Sequence, residues 1–334
     1  MLLKEGAVKR ICCNKERLVK KNLLILVLLI LSAGHIARSQ EQDDYAIAIQ
    51  YPVYSMYLVE GLFINPAYAG TREALSMSLS GRKRMLGFEG EYAMASFSLH
   101  APLKKDRIAL GLSVNQLSYG ITDQTSIYSY YAFHIKTMKG RWSMGLKAGV
   151  DMVTNDYSGI VTNDPDHVFD VGQESHVMPN AGLGVYYNSE KIFAGVAVPA
   201  LLTYKVDTSN LDYRMGMDIS YYDILASAGG LITFSENFKL KPSMMIKYSL
   251  SSSLRLDLNA NFIISDIIWL GVSWRTGESA VVGMIEVQIT PQVKLGYSYD
   301  YSLGTLNSFI GGTHEVAMRF DLNRRVNSSS PRYF

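Results

Sequence analysis

The stretch LRLDLNANFII, residues 254–264, decides the fold because its side chains change character at every second position. The apolar set is Leu254, Leu256, Leu258, Ala260, Phe262 and Ile264, and the polar set is Arg255, Asp257, Asn259 and Asn261. Successive side chains of a β-strand point to opposite faces, whereas a helix repeats at 3.6 residues. The stretch therefore predicts a strand with one apolar and one polar face.

The same period recurs on both sides of this stretch, in segments of about ten residues separated by turn residues. Clear examples are IALGLSVNQ (108–116), WSMGLKAGVDM (142–152) and VKLGYSYDY (293–301). About fourteen segments are predicted by this pattern, with starts near Leu75, Tyr92, Ile108, Thr125, Arg141, Asn180, Lys191, Tyr222, Phe238, Leu254, Ile267, Ser279, Val293 and His314. An even number of strands is typical of a single-chain outer-membrane barrel.

The connections between segments sort by length. Short turns are expected near 137, 188, 235, 265 and 290, and long connections near 155–179, 199–221 and 303–313. With a periplasmic N-terminus, all the long connections fall on one rim, as in outer-membrane barrels. The fold class predicted is therefore all-β: a transmembrane outer-membrane β-barrel of about 14 antiparallel strands, closed so that every backbone group is paired. Aromatic residues near strand ends predict interfacial girdles: Trp142, Tyr186, Tyr187, Tyr299, Tyr301 and Phe320.

The first 39 residues have the three parts of a secretory signal peptide. A basic region precedes the apolar run LLILVLLILSAG (23–34), and Ala37-Arg38-Ser39 offers a small-residue cleavage site. An uncleaved anchor is the alternative, although the run is short for a membrane span. The segment holds eight Lys/Arg and two Asp/Glu, so its removal changes the formal net charge from +2 to −4. No basic excess remains to favour nucleic acid, and both cysteines, Cys12 and Cys13, leave with it.

Four regions follow from these patterns. Residues 1–39 are predicted as signal peptide, 40–74 as an N-terminal periplasmic or lumenal segment, 75–322 as the barrel and 323–334 as a periplasmic C-terminal tail. The second region contains FINPAYAG (63–70). Here Pro66 fixes its own φ, and Asn65 is pushed out of the helical region. Gly70 allows a positive φ. A simple connector and a plug-like turn are both open from these residues alone.

Few residues suggest chemistry. His314-Glu315 lacks the second histidine of a zinc helix. The loop NDPDHVFD (163–170) groups Asp164, Asp166, His167 and Asp170, which favours a solvated loop, with a Ca²⁺ site as the alternative. No Ser/His/Asp set has a recognisable local context. The sequence therefore predicts a protein that is not an enzyme and has no cofactor.

The charged residues on the polar faces of the strands are predicted to face the lumen. The basic ones are Arg82, Lys136, Lys147, Lys239, Lys241, Lys247, Arg255, Arg275, Lys294 and Arg319, and the acidic ones are Asp151, Asp257, Glu286, Asp300, Glu315 and Asp321. One interpretation is a mesh of ion pairs and water that fills the barrel. The other is a pore lining that selects anionic solutes, because bases outnumber acids.

Several stretches in order resemble the PorP/SprF family of type IX secretion system outer-membrane proteins. They are FINPAYAG (63–70), FSLHAPLKKDRIALGLSV (97–114), GLKAGVD (145–151), the ND…DP…F loop (155–169), PNAGLGVYY (179–187), FKLKPSMMIKY (238–248), GGTHEVAMRFDL (311–322) and SPRYF (330–334). The resemblance runs from about residue 50 to the C-terminus. It implies an integral outer-membrane barrel that works with translocon components and assists export or surface anchoring of secreted cargo with a C-terminal sorting domain.

The Asn-Pro-Ala turn before the first strand is also similar to that of the FadL-like hydrophobic-solute channels, where such a segment forms a hatch. By that resemblance Asn65, Pro66, Ala67, Tyr68 and Gly70 form a plug inside the barrel. Three functions stay open at this point. The first is a plugged barrel whose long loops bind cargo or a translocon partner, with contacts at Asp164, Asp166 and Phe169. The second is a FadL-like or porin-like channel, and the third is a structural barrel that binds a periplasmic partner through its short turns.

Overall fold

The structure is a computed structural model of the chain. It describes residues 46–47, 54–57, 59–86, 92–103, 107–159, 172–207, 212–250, 252–277, 279–304 and 311–322. The predicted signal peptide and C-terminal tail lie outside the described residues, as do Asp164, Asp166 and Phe169. Within the described ranges, no helix is long and apolar enough to cross a bilayer.

The described residues form strands and three short 3₁₀ helices. Four strands are short or lie outside the ring: β1 (Ala46–Ile47), β9 (Thr203–Asp207), β10 (Asp212–Gly216) and β12 (Ile232–Thr233). The barrel strands are β2 (Leu75–Leu86), β3 (Tyr92–Pro102), β4 (Ile108–Tyr119), β5 (Thr122–Thr137), β6 (Gly140–Asp156), β7 (Gln173–Asn188), β8 (Ile192–Val198), β11 (Ile224–Gly230), β13 (Phe238–Ser249), β14 (Ser252–Ile264), β15 (Ile268–Arg275), β16 (Ala280–Gln288), β17 (Val293–Ser302) and β18 (Gly311–Leu322). The 3₁₀ helices are Gly61–Phe63, Pro66–Tyr68 and Ile219–Tyr221.

The fourteen barrel strands close into a ring of antiparallel neighbours. The last strand, β18, pairs with the first, β2, from Leu322 opposite Leu75 to Gly311 opposite Leu86. At the other side β11 pairs with both β8 and β13, which completes the ring. A second sheet contains β1, β9 and β10. The prediction of a 14-stranded all-β barrel is confirmed.

The alternation that predicted the strands separates the two faces of the barrel wall. In β14, Leu254 and Leu258 are 50% and 42% exposed on the outside, whereas Asp257 and Asn261 are 6% and 2% exposed on the inside. An apolar outer face is what lipid requires, and the polar groups then have to face the lumen.

The connections sort between two rims. The short-turn rim carries the turns that follow β5, β7, β12, β14 and β16, and it also holds the start of β2 and the end of β18. The opposite rim, called the long-loop rim, carries connections 157–172, 199–223 and 303–310. The first of these is shorter than the predicted 155–179, because β7 begins at Gln173. Pro179 does not end the strand, since this part of β7 is paired on the β6 side while the described pairs with β8 begin at Leu183.

Candidate functional site

Residues 54–57 and 59–74, called the N-terminal segment, contact inward-facing side chains from around the ring. Tyr54 lies within hydrogen-bond distance of Ser96 on β3, and Tyr57 accepts a hydrogen bond from Asn259 on β14. Ala67 and Ala69 are fully buried. Contacts on such distant strands place the segment inside the barrel. It is the candidate functional site because it occupies the lumen.

Local sequence explains the two 3₁₀ turns of the segment. The side chain of Glu60 accepts a hydrogen bond from Leu62 N–H (3.2 Å) and caps Gly61–Phe63. The side chain of Asn65 accepts one from Ala67 N–H (2.9 Å) and caps the turn Pro66–Tyr68, with Pro66 in the position where its missing N–H costs nothing. Gly70 then has φ +70°, a conformation that favours glycine.

The Asn65 turn lies on a floor of three inward-facing glycines. Gly145, Gly184 and Gly195 come from the adjacent strands β6, β7 and β8, and Gly145 is directly opposite Gly184. A Cβ on Gly145 would collide with the backbone of Ala67, and one on Gly184 would collide with the amide of Asn65. A Cβ on Gly195 would be 2.8 Å from Asn65 Nδ2. Glycine at all three positions lets the turn reach the barrel backbone.

The amide of Asn65 uses this close approach. Its Nδ2 donates hydrogen bonds to the backbone carbonyls of Val185 (2.9 Å) and Val196 (3.3 Å), which lie opposite each other on β7 and β8. The same side chain therefore caps its own turn and binds the barrel wall. A carboxamide can do both because it holds two N–H donors and one acceptor oxygen in a single plane.

Tyr68 fixes the next part of the turn through aromatic contacts. Its ring is edge-on to Tyr186 (centroids 5.7 Å apart) and to His100 (5.8 Å). Tyr186 is buried and faces the lumen, so its assignment to an interfacial girdle is wrong. It lies on the inward-facing register of β7, two positions beyond Gly184. By contrast, Trp142 and Tyr301 are each 48% exposed on the outer face.

A cluster of buried charges surrounds Ser55 farther along the lumen. The guanidinium of Arg82 pairs with Asp300 and Glu315, both at 2.8 Å. Glu315 accepts a hydrogen bond from Ser55 N–H (2.8 Å), and Asp300 accepts one from the Ser55 hydroxyl (2.7 Å). Arg275 pairs with Asp300 (3.1 Å) and Asp257 (3.4 Å) from the neighbouring wall and donates to the Tyr54 carbonyl (3.2 Å). Charges of both signs thus hold the backbone of the segment.

A second set of charges holds the segment near the short-turn rim. Arg72 pairs with Asp321 (3.2 Å), which also pairs with Arg319 (3.4 Å). Arg319 donates to the Val59 carbonyl (2.8 Å), and Arg141 donates to the Thr71 carbonyl (2.6 Å). These charged side chains thus bind both ends of residues 59–72: Val59 at the start, and Thr71 and Arg72 at the end.

The remaining predicted lumenal charges fall into two groups. Lys147, Asp151, Lys241, Glu286 and Lys294 are buried: Lys294 pairs with Glu286, and Asp151 accepts hydrogen bonds from Tyr128 and Ser126. Four others lie toward the rims and are more exposed: Lys136, Lys239, Lys247 and Arg255. Lys239 and Lys247 pair there with Asp266 and Asp223, both at 2.8 Å.

Glu60 and His100 form a contact that the sequence patterns missed. His100 Nε2 lies 3.3 Å from Glu60, and its Nδ1 accepts a hydrogen bond from Gly70 N–H (3.1 Å). Glu60 is buried, and its carboxylate also accepts hydrogen bonds from Leu62 N–H (3.2 Å) and the Ser78 hydroxyl (3.1 Å). In FSLH (97–100), Ser98 and His100 take the inward-facing positions of β3. This alternation could have indicated that His100 faces the lumen.

The ion pairs and hydrogen bonds of this site bind the N-terminal segment to the barrel wall. Among the described residues, no group of three or more His, Cys, Asp or Glu side chains is arranged to hold a metal ion. The predicted calcium alternative at Asp164 and Asp166 lies outside them. A small cavity remains between the segment and the wall, lined by Tyr57, Gly61, Ile64, Asn65, Tyr68, Tyr186, Phe193, Ser227 and Lys241.

One protein family and several solved structures are similar to this chain. The family model described as type IX secretion system membrane protein PorP/SprF matches residues 46–320. The solved CymD monoaromatic hydrocarbon channel is similar in fold, with a TM-score of 0.50 and 11% identity over 83% of this chain and 94% of that chain. The Ralstonia pickettii toluene transporter TbuX has a TM-score of 0.48 and 10% identity, over 79% and 93% of the two chains. No curated protein sequence gives a significant match.

Proposed function

This chain belongs to the PorP/SprF family of type IX secretion system membrane proteins, and on that premise we propose that it assists the export or surface anchoring of a cargo protein with a C-terminal sorting domain. It is an integral barrel of the bacterial outer membrane. Its partners in this proposal are translocon components and the cargo itself. The barrel is their membrane anchor and carries out no chemistry.

The occupied lumen is the observation that carries this proposal. Residues 54–57 and 59–74 contact the wall through ion pairs, hydrogen bonds and apolar packing, and the Asn65 turn lies directly on the barrel backbone. A channel for diffusing solutes needs an open path, whereas a membrane anchor for a protein partner does not. A fixed peptide in the lumen therefore supports an interaction protein.

The long-loop rim supplies the surface on which a partner would bind. Sidedness follows from the general rule that outer-membrane barrels have short periplasmic turns and longer extracellular loops. The connection 199–223 exposes Met215, Met217 and Ile219, with 60%, 70% and 72% of their surface accessible. Neighbouring exposed apolar side chains are a common feature of protein interaction sites. We assign partner binding to this connection and to 157–172, which includes Asp164, Asp166 and Phe169.

A channel for small solutes is the second candidate function. The cavity beside Asn65 and Tyr68 supports it, because an aromatic lining with one cation, Lys241, suits a small amphipathic anion. In that case the N-terminal segment would have to move to open a path.

Replacing residues 158–171 with Asn-Gly tests the proposal. Tyr157 N–H already donates to the Gly172 carbonyl (2.8 Å), so a tight turn can join β6 to β7 without changing the barrel. We expect cells with this variant to lose a protein from their surface, as measured by mass spectrometry of surface-labelled cells, while uptake of small solutes is unchanged. The matched control shortens 305–310 on the same rim.

Two results would count against the proposal. An unchanged surface proteome in the 158–171 variant, with normal amounts of barrel in the outer membrane, contradicts cargo binding by this loop. Loss of solute uptake instead supports the channel. Affinity purification of the intact barrel from detergent extract then identifies the partner directly.

A further inference from the structure

Strand β1 and the start of β2 lie at opposite rims of the barrel. Strand β1 pairs with β9, with Ala46 opposite Lys205 and Ile47 opposite Tyr204. Strand β9 belongs to connection 199–223 on the long-loop rim, whereas β2 starts at Leu75 on the short-turn rim. Ile47 and Leu75 therefore lie at opposite rims of the barrel.

Contacts along one strand show the direction of this crossing. On β2, Ser55 contacts Arg82, Glu60 accepts a hydrogen bond from Ser78 (3.1 Å), and Arg72 shares Asp321 with Ser76. The contacts thus descend β2 in the order of the sequence. From Arg82 to Ser76 this is a drop of about 20 Å along the strand.

The hairpin of β9 and β10 is itself attached to the inner face of the wall at the long-loop rim. Tyr204 packs against Val153 and Met178, and its hydroxyl donates to the Pro179 carbonyl. Asn180 accepts hydrogen bonds from the N–H groups of Leu201 (3.2 Å) and Leu202 (3.1 Å). The hairpin is therefore fixed at the outer mouth, and β1 is fixed with it.

The length of chain between Ile47 and Tyr54 limits how far apart these two residues can lie. The six intervening residues span about 25 Å at most, and Tyr54 lies beside Ser96 and Asn115 in the half of the barrel nearer the long-loop rim.

We propose that residues 46–47, 54–57 and 59–74 belong to a strap threaded through the barrel from its outer mouth to its periplasmic rim, so that Ala46 lies on the cell-surface side. The strap adds a third strand to the β9–β10 hairpin and so holds that hairpin across the mouth. This differs from a hatch inserted from the periplasm, and from the periplasmic N-terminus assumed in the sequence analysis. It does not depend on which cargo the barrel handles.

Cysteine labelling tests the path of the strap, because Cys12 and Cys13 are the only cysteines in the sequence. In the full-length chain, Ala46→Cys is treated with a membrane-impermeant biotin–maleimide on intact cells. We expect labelling similar to that of Met217→Cys on connection 199–223. Met138→Cys, on the short turn after β5, should be labelled only after the outer membrane is permeabilised.

A second measurement covers the case in which pairing with β9 hides the thiol introduced at position 46. Ala46 and Lys205 are opposite residues of antiparallel strands, whose Cα separation suits a disulfide. The double variant Ala46→Cys/Lys205→Cys should therefore form an internal cross-link under mild oxidation. The proposal is overturned if the double variant stays reduced while Ala46→Cys is labelled only in permeabilised cells.

Discussion

Asn65 and Gly184 are complementary at the level of single atoms: the carboxamide of Asn65 occupies the space that a side chain at position 184 would need. The two residues are separated by more than a hundred positions in sequence, yet the turn and the barrel wall fit only because β7 has no Cβ at this point. The relationship links an N-terminal motif to a glycine inside a strand.

Gly184→Ala should displace the Asn65 turn. The new methyl would overlap the Asn65 amide, and an overpacked site of this kind costs about 1–3 kcal/mol. We expect easier proteolysis of the N-terminal segment in the purified barrel, measured as cleavage rate, with the strands intact by circular dichroism. Gly283→Ala is the matched control, because a Cβ there meets nothing within 4 Å. Equal cleavage of the two variants would contradict the fit described above.

Asn65→Ala combined with Pro66→Ala should raise single-channel conductance in planar bilayers. The change removes the cap on Ala67 N–H and the two hydrogen bonds to Val185 and Val196. Each is worth about 1 kcal/mol, so the turn should leave the wall for part of the time. Asn237→Ala, in the short turn before β13, serves as control. A conductance that stays at the wild-type level argues that the segment does not obstruct the lumen.

Arg82→Met should destabilise the whole barrel. It leaves Asp300 and Glu315 buried with less positive charge around them, and loss of one partner from a buried pair costs about 3–5 kcal/mol. The quantity to measure is the free energy of unfolding in denaturant. Lys83→Met, at the adjacent outward-facing position, should cost far less. If both substitutions had the same effect, the ion cluster around Ser55 would not contribute to stability.

Glu60→Gln should loosen the segment. The substitution removes the buried negative charge that accepts hydrogen bonds from Leu62 N–H and the Ser78 hydroxyl and lies 3.3 Å from His100. Hydrogen bonds to a charged group are worth about 1.5–3 kcal/mol. We expect faster proteolysis of the segment in the purified barrel, measured as cleavage rate. Glu236→Gln, in an exposed turn, should be cleaved at the wild-type rate, and equal rates for the two variants would contradict a role for Glu60.

The strand pattern could be predicted because each barrel strand has one face toward lipid and the other toward the polar lumen. Leu254 faces lipid and Arg255 faces the lumen because successive side chains of a strand point to opposite faces. This period is visible within one strand, so the other thirteen strands need not be known to recognise it. Turn residues similarly placed the short connections. The start of β7 shows the limit of local signals: the sequence predicted a strand only from near Asn180, whereas β7 begins at Gln173 and includes Pro179, beside which no pair with β8 is described.

The site was less accessible to such reasoning. The motif from Asn65 to Gly70 marked the turn, but Tyr186 was assigned to the outer interface although it packs on Tyr68. Its neighbour Tyr187 points to the other face of β7. With adjacent tyrosines, either assignment of the inward and outward positions places an aromatic residue on the outer face, so the sequence did not show which of the two faces the lumen. The roles of Ser55, Glu60 and His100 depend on contacts with remote strands, and no period in the sequence encodes such contacts.

By itself the sequence determined the closed all-β wall, its apolar outer face and the sorting of its loops, since these follow from a two-residue period and from the need to pair every backbone group in lipid. Only the tertiary structure decided where residues 54–74 run. Their path depends on three glycines from adjacent strands and on buried ions from opposite sides of the ring. Such groups come from strands far apart in the sequence and meet only in the closed barrel.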